Sequence, residues 1–152
     1  MRVSDYLKEE CCCMDLVAQG KDEIIKEIAD KVKCGGNVVD ENKFIADVLE
    51  REALGSTGIG NNVGIPHART DAVKGFVIGF AKSKEGVDFK ALDGQPVKLI
   101  FLMGADPKEL NFYMRVLAEL SKLLMNNAFR EELLATTTPK DVVGVIKKFE
   151  NS

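Results

Sequence analysis

Candidate chemistry in this chain begins with His67, because it is the only histidine in the sequence. A neutral imidazole is a good nitrogen nucleophile toward phosphorus, and its reference pKa of about 6.5 keeps it largely uncharged near neutral pH. Such a side chain can accept a phosphoryl group and later release it. The alternative is a histidine at the end of a strand that makes an ordinary hydrogen bond.

The segment that precedes His67 favours the chemical role. It holds four glycines within ten positions: Gly55, Gly58, Gly60 and Gly64. Glycine adopts backbone angles closed to other residues and lets main-chain N–H groups approach a ligand, so a glycine-rich loop can form a nest for an anion. We therefore expect Gly58 and Gly60 to support an anion site, and Pro66 to give His67 a stiff base.

Two charged residues, Arg51 and Glu52, stand immediately before this loop. On a helix, Arg51 lies only about 20° from Phe44 and Glu52 lies within the same apolar stripe, so both are predicted to point inward. Buried charges need partners. An arginine here can bind two phosphate oxygens at once. The alternatives are an ion pair between Arg51 and Glu52, or separate contacts that fix the loop.

Four helices are predicted to position these residues. The spacing of apolar side chains and the stop signals place them at Lys21 to Lys33, at about Asp40 to Leu54, at about Glu109 to Asn126, and after Pro139. Asp40 is the expected N-cap of the second helix. Tyr113 falls on the apolar face of the third helix, which favours a ring packed into the core with its hydroxyl at the edge.

Short apolar or alternating runs between the second and third helices predict three strands, at Phe76 to Ala81, Val87 to Phe89 and Val97 to Met103. The order of elements, with no linker or internal repeat, predicts one layered α/β domain over residues 1–152. In such a domain, helices cover a mixed sheet.

The composition indicates which kind of partner the protein binds and in which compartment it acts. The net charge is -3, from 24 acidic and 21 basic side chains, so the chain lacks the basic field that drives binding to nucleic acid. No stretch approaches the roughly 20 apolar residues of a membrane span, and the N-terminus lacks an apolar signal core. We therefore expect a cytoplasmic protein with a protein partner and no direct membrane insertion.

The cysteines do not indicate a metal site or a set of disulfides. Three of the four are consecutive, Cys11 to Cys13, and this spacing suits neither a zinc site nor a disulfide framework. We interpret them as reduced thiols in a short buried strand that continues toward Leu16, with redox sensing or metal capture as the alternative. No metal and no cofactor is expected.

The run from Arg51 to His67 resembles a known active-site signature. It reads Arg-Glu-Ala-Leu-Gly-Ser-Thr-Gly-Ile-Gly-Asn-Asn-Val-Gly-Ile-Pro-His. It is similar to the signature of the enzyme IIA proteins of the bacterial phosphotransferase system, fructose/mannitol type, a family that includes the nitrogen-regulatory IIA branch. The resemblance extends from Val3 to Leu7, through Phe89 to Val97, and on to the final helix.

The resemblance implies a three-layer α/β domain with a mixed β-sheet flanked by helices on both faces. It also implies that the phosphocarrier protein HPr, or a relative, phosphorylates His67 and that the group passes to an enzyme IIB. The family's site arginine matches Arg51, and Arg69 is expected near the rim of the docking surface. Gly64 stands where the signature usually has alanine. Tyr113 stands where many members have a second histidine.

Two functions fit these residues. In the first, the chain is a phosphotransferase component of sugar transport, and the loop and Arg51 steady the phosphoryl group during transfer. In the second, it is a regulatory protein, in which the phosphorylation state of His67 selects a target protein. The segment from Asp93 to Val97 looks more like the nitrogen-regulatory branch. A hydrolase that uses His67 as a base lacks a plausible nucleophile or metal cluster.

Overall fold

The structure, a computed structural model, describes residues 2–151 and contains one mixed sheet with helices on both faces. The strands are β1 (Cys12–Cys13), β2 (Gly58–Gly60), β3 (Val63–Gly64), β4 (His67–Arg69), β5 (Phe76–Val87) and β6 (Val97–Ala105). The α-helices are α1 (Lys21–Val32), α2 (Glu41–Leu54), α3 (Leu110–Leu124), α4 (Asn127–Leu134) and α5 (Pro139–Glu150). This architecture confirms the predicted fold class.

The strand β6 is central to the sheet. It pairs antiparallel with β5 on one side, and β5 in turn pairs parallel with β1. On its other side β6 pairs parallel with β3 and then with β4, and β2 pairs antiparallel with β3. The register of β4 sets His67 opposite Met103 and Arg69 opposite Ala105. The site histidine therefore lies beside the carboxyl end of the central strand.

Side chains alternate between the two faces of the sheet and belong to two separate hydrophobic cores. Phe76, Ile78 and Phe80 belong to one cluster, together with buried residues of α3, α4 and α5. Val77 and Ala81 belong to the cluster on the opposite face, which contains the buried residues of α1 and α2. Because successive side chains of β5 point to opposite faces of the sheet, each face of the sheet packs against helices.

Helix α2 lies close to the strand that carries His67. Phe44 of α2 and Ala68 of β4 are buried in the same cluster. Gly104 of β6 permits this approach, because a Cβ at that position would lie only 2.5 Å from a ring carbon of Phe44. Asp40 caps the helix by accepting a hydrogen bond from the Lys43 N–H at 3.1 Å, as predicted.

Several details differ from the sequence predictions, which also did not include strands β2, β3 and β4. The separate strand at Val87 to Phe89 is wrong, because β5 runs on through an irregular stretch to Val87 and Phe89 lies outside it. The cysteine strand is shorter than expected: Cys11 ends a 3₁₀ turn and only Cys12–Cys13 pair with β5, although all three are buried. Helix α4 was not predicted. Among the described residues, no helix is both long and apolar enough to cross a membrane.

Candidate active site

His67 begins β4 directly after Pro66. The Pro66 carbonyl accepts a hydrogen bond from the Met103 N–H at 3.0 Å, which ties the residue before the histidine to β6. The imidazole Nδ1 lies 2.7 Å from the carbonyl oxygen of Ile65. A carbonyl can only accept, so Nδ1 carries the proton and Nε2 carries the free lone pair. The backbone thus assigns Nε2 as the nucleophilic nitrogen.

The surroundings keep this imidazole neutral. Burial lowers the pKa of His67 below its usual value, and the positive charge of Arg51 acts in the same direction. The hydrogen bond to Ile65 and the negative charge of Glu52 oppose this shift, but burial is the largest effect. A neutral imidazole near pH 7 retains the lone pair that nucleophilic attack requires.

Two arginines stand near His67 on different elements. Arg51 lies in the last turn of α2, where its Nη1 donates to the Gly55 carbonyl at 2.9 Å. This bond uses one of the five N–H donors of the guanidinium. Arg69 is two residues beyond His67 in β4, and alternation along a strand gives the two side chains the same face. Within residues 2–151, neither arginine forms an ion pair with a carboxylate.

An open cleft of about 1010 Å³ brings together four of the residues proposed from the sequence: His67, Arg51, Arg69 and Tyr113. Leu54, Leu110 and Met114 also line it, and they are 83%, 40% and 52% exposed. The cleft therefore combines a nucleophilic nitrogen, two arginines that form no ion pair among the described residues, and exposed apolar side chains. Such a set of groups can hold a phosphoryl group and contact a protein partner.

Glu52 is buried, as predicted, but it does not line this cleft. Its carboxylate lies 2.5 Å from Lys21 Nζ, the first residue of α1. It also accepts hydrogen bonds from the N–H of Thr57, at 3.3 Å, and from the Thr57 hydroxyl. Of the alternatives, an ion pair between Arg51 and Glu52 is therefore wrong. Glu52 fixes the start of the glycine-rich segment, and Arg51 is only half-buried.

The glycine-rich segment folds as a β-hairpin rather than as an open loop. Asn61 and Asn62 form its turn with positive φ angles of 58° and 65°, a conformation that asparagine tolerates. Strands β2 and β3 flank this turn, and Gly58 pairs with Gly64. Neither Gly58 nor Gly60 lines the cleft that contains His67, and their support of an anion site stays a prediction. The hairpin extends the sheet from which His67 emerges.

One polar contact that the sequence did not suggest connects α2 to β4. Asp47 accepts a hydrogen bond at 2.5 Å from the hydroxyl of Thr70, the residue after β4, and a second at 3.0 Å from Lys43. The hydroxyl of Thr70 is the main cause of a lowered Asp47 pKa, and Lys43 adds to it. The i, i+4 spacing of Lys43 and Asp47 was the available signal for this pair. The contact therefore joins the helix that carries Arg51 to the residue that follows the strand of His67.

Comparison with known proteins identifies the family. Residues 5–149 match the model described as "Phosphoenolpyruvate-dependent sugar phosphotransferase system, EIIA 2". The chain belongs to this family. EIIA components are phosphoryl carriers of the phosphotransferase system that work through a phosphohistidine intermediate.

Curated relatives of two sizes share this domain. The chain is 36% identical over 126 residues to the fructose-specific EIIA component of Haloferax volcanii, covering 83% of this chain and 82% of the relative. It is 31% identical over 150 residues to the fructose-specific EIIABC component of Bacillus subtilis, covering 99% of this chain. This chain spans only 24% of that longer protein.

Solved structures of EIIA proteins have the same fold. The nitrogen regulatory protein IIA-Ntr of Neisseria meningitidis superposes with a TM-score of 0.87 at 26% identity, covering 95% of this chain and 98% of its own. The mannitol enzyme IIA of Escherichia coli, solved in complex with phosphorylated enzyme IIB, gives a TM-score of 0.79 at 24% identity. That match covers 93% of this chain and 99% of its own.

The two departures from the family signature have distinct surroundings. At Gly64, a Cβ would lie 3.2 Å from the ring of Phe89, which is fully buried. An alanine there would press on this ring, so the glycine fits the local packing. Tyr113, in the first turns of α3, places its ring centroid 5.9 Å from that of His67. Tyr113, where the resemblance leads one to expect a second histidine, thus lies beside His67.

Proposed function

We propose that this EIIA protein accepts a phosphoryl group on Nε2 of His67 from an HPr-like phosphocarrier and passes it to an enzyme IIB. The observation that carries the proposal is the hydrogen bond between His67 Nδ1 and the Ile65 carbonyl, which leaves Nε2 as the free nucleophile. Two further features support it: the lowered His67 pKa and the position of Arg51 on the same cleft.

The transfer step needs positioning and charge stabilisation more than covalent chemistry. The lone pair of Nε2 attacks phosphorus in line, a new N–P bond forms, and the bond from phosphorus to the donor breaks. Arg51 stabilises the negative charge that spreads over the equatorial oxygens, and its free N–H groups can bind two oxygens in a plane. The second transfer, to enzyme IIB, reverses these steps at His67.

The docking surface for both partners is, in this proposal, the rim of the cleft. Leu54 and Met114 are exposed there, and Arg69 also lines the cleft. Transfer partners must separate quickly, so a small apolar patch with a cationic edge suits the task. The complex of the E. coli mannitol enzyme IIA with phosphorylated enzyme IIB supports the pairing with IIB.

Phosphorylation from the physiological donor tests this function. Incubation with enzyme I, HPr and labelled phosphoenolpyruvate should attach one phosphoryl group through an acid-labile, alkali-stable bond. His67→Ala should remove the label, and addition of a cognate enzyme IIB should discharge the wild-type protein. Labelling that persists in His67→Ala would place the chemistry elsewhere.

A second function is favoured by the likeness to the nitrogen regulatory protein, at a TM-score of 0.87. In that case the phosphorylation state of His67 controls binding to a target protein instead of supplying a sugar transporter. The two functions differ in the fate of the phosphoryl group. Transfer to enzyme IIB supports transport, whereas binding of one defined target in only one phosphorylation state supports regulation.

We further propose that the chain acts as one domain, residues 1–152, in the cytoplasm. The two cores share a single sheet, which supports one cooperative unit. The buried cysteines Cys11, Cys12 and Cys13 are free thiols, which suits a reducing compartment. A single urea unfolding transition, seen identically by circular dichroism and by fluorescence of Tyr6 and Tyr113, would support the one-domain proposal.

A further inference from the structure

The hydroxyl of Tyr113 is a buried polar group without a partner. The residue is 3% exposed, and within residues 2–151 its Oη has no hydrogen-bond donor or acceptor. Buried tyrosine hydroxyls usually have a partner, because an unmade hydrogen bond costs about 1–3 kcal/mol. The fold therefore keeps the Tyr113 hydroxyl as a hydrogen-bond donor without a partner, at a cost in free energy.

Tyr113 lines the cleft that contains His67. The two ring centroids are 5.9 Å apart, and the ring planes are tilted by 46°. Arg69 and Arg51 line the same cleft, and both act to lower the Tyr113 pKa. Burial outweighs them and raises that pKa to about 12, so the phenol keeps its proton at neutral pH.

We propose that the Tyr113 hydroxyl donates a hydrogen bond to an oxygen of the phosphoryl group carried by His67. This inference rests on the proposed phosphorylation of His67 and assigns a second residue to it. A phosphoryl group brings three strong acceptor oxygens, which is what the unpaired hydroxyl lacks. No bond to Tyr113 is made or broken during transfer, because the phenol keeps its proton. Tyr113 then acts with Arg51 in stabilising the transferring group.

The alternative to a phosphoryl contact is that Tyr113 only packs in the core. Its ring belongs to the cluster that contains α3, and a phenylalanine would keep that packing. Both possibilities leave the Tm of Tyr113→Phe equal or higher, because the hydroxyl has no hydrogen-bond partner within residues 2–151. They differ in the phosphorylation rate, which falls only if the hydroxyl binds the phosphoryl group. A lowered Tm would show instead that the hydroxyl supports the fold.

Phosphoramidate tests the inference without partner proteins. It transfers its phosphoryl group to the imidazole nitrogen: its own P–N bond breaks, the new N–P bond forms and ammonia leaves. We expect Tyr113→Phe to slow this phosphorylation roughly ten-fold, the loss of one hydrogen bond to a charged group, with an unchanged or raised Tm. Tyr6→Phe is the matched control, because Tyr6 is the only other tyrosine and is 38% exposed.

A second readout reports on the hydroxyl itself. With 3-fluorotyrosine in place of both tyrosines, phosphorylation should shift the ¹⁹F signal of residue 113 and leave that of residue 6 unchanged. Wild-type rates in Tyr113→Phe together with an unshifted signal at 113 would overturn the inference. These results would leave the proposed function intact as long as His67 is still phosphorylated. Failure of both phosphoramidate and phosphorylated HPr to modify the wild-type His67 would overturn the inference and the proposed function together.

Discussion

Removal of the Glu52 carboxylate is expected to cost about 3–4 kcal/mol of unfolding free energy. Glu52 is 6% exposed, and its carboxylate pairs with Lys21 Nζ at 2.5 Å. Loss of one member of a buried pair costs about 3–5 kcal/mol, and the 17% exposure of the Lys21 side chain places this pair at the low end. The buried N–H of Thr57 also loses its acceptor, which overlaps with this cost.

The assay is urea unfolding of Glu52→Ala beside Glu50→Ala, an exposed glutamate on the same helix. For a domain of about 150 residues, a loss of about 3–4 kcal/mol lowers the Tm by roughly 10 °C, whereas the Glu50 variant should change by less than about 0.5 kcal/mol. A double-mutant cycle of Glu52→Gln with Lys21→Met isolates the ion pair. Equal, small effects of the two alanine variants would refute the structural role of Glu52.

Two further predictions concern the cleft. Arg51→Gln should slow phosphoryl transfer by roughly two orders of magnitude with little change in Tm. Arg51→Lys should rescue only part of the rate, because lysine cannot bind two oxygens in a plane. Equal losses of stability and rate would show that Arg51 has a structural role. An NMR titration should find the pKa of His67 below 6.5, so that phosphorylation stays fast as the pH falls through 6.5 and declines only near the lowered pKa. Because the unfolded chain binds the proton more readily, the contribution of His67 to stability is full above about pH 6.5 and is lost below the folded pKa. Arg51→Gln should raise this pKa, and a value at or above 6.5 in the wild type would contradict the account.

The helices were the most predictable part of the fold. Long amphipathic patterns gave α1, α2, α3 and α5, and caps such as Asp40 marked their limits. Helix α4 was missed because it has only 8 residues and follows α3 almost at once. Its signals were the Asn126 cap and the i, i+4 pair Phe129 and Leu133, both fully buried.

The short strands and the site contacts were less accessible to sequence reasoning. Strands β2 and β3 contain three and two residues, too few to show a period of two, and β3 pairs with β6 far along the chain. The partner of Glu52 was unpredictable for the same reason, since Lys21 belongs to another helix. In contrast, four residues proposed from the sequence, including His67 and Arg51, share one cleft. Their roles there stay predictions.

The nitrogen that carries the phosphoryl group tests the central claim most directly. His67 is the only histidine, so the phosphorylated, ¹⁵N-labelled protein has a single imidazole to observe. The Ile65 carbonyl holds Nδ1 at 2.7 Å, and we therefore expect ³¹P coupling to Nε2, with the Nδ1 proton retained. Coupling of phosphorus to Nδ1, or the absence of any coupling to imidazole nitrogen in the phosphorylated protein, would contradict the account.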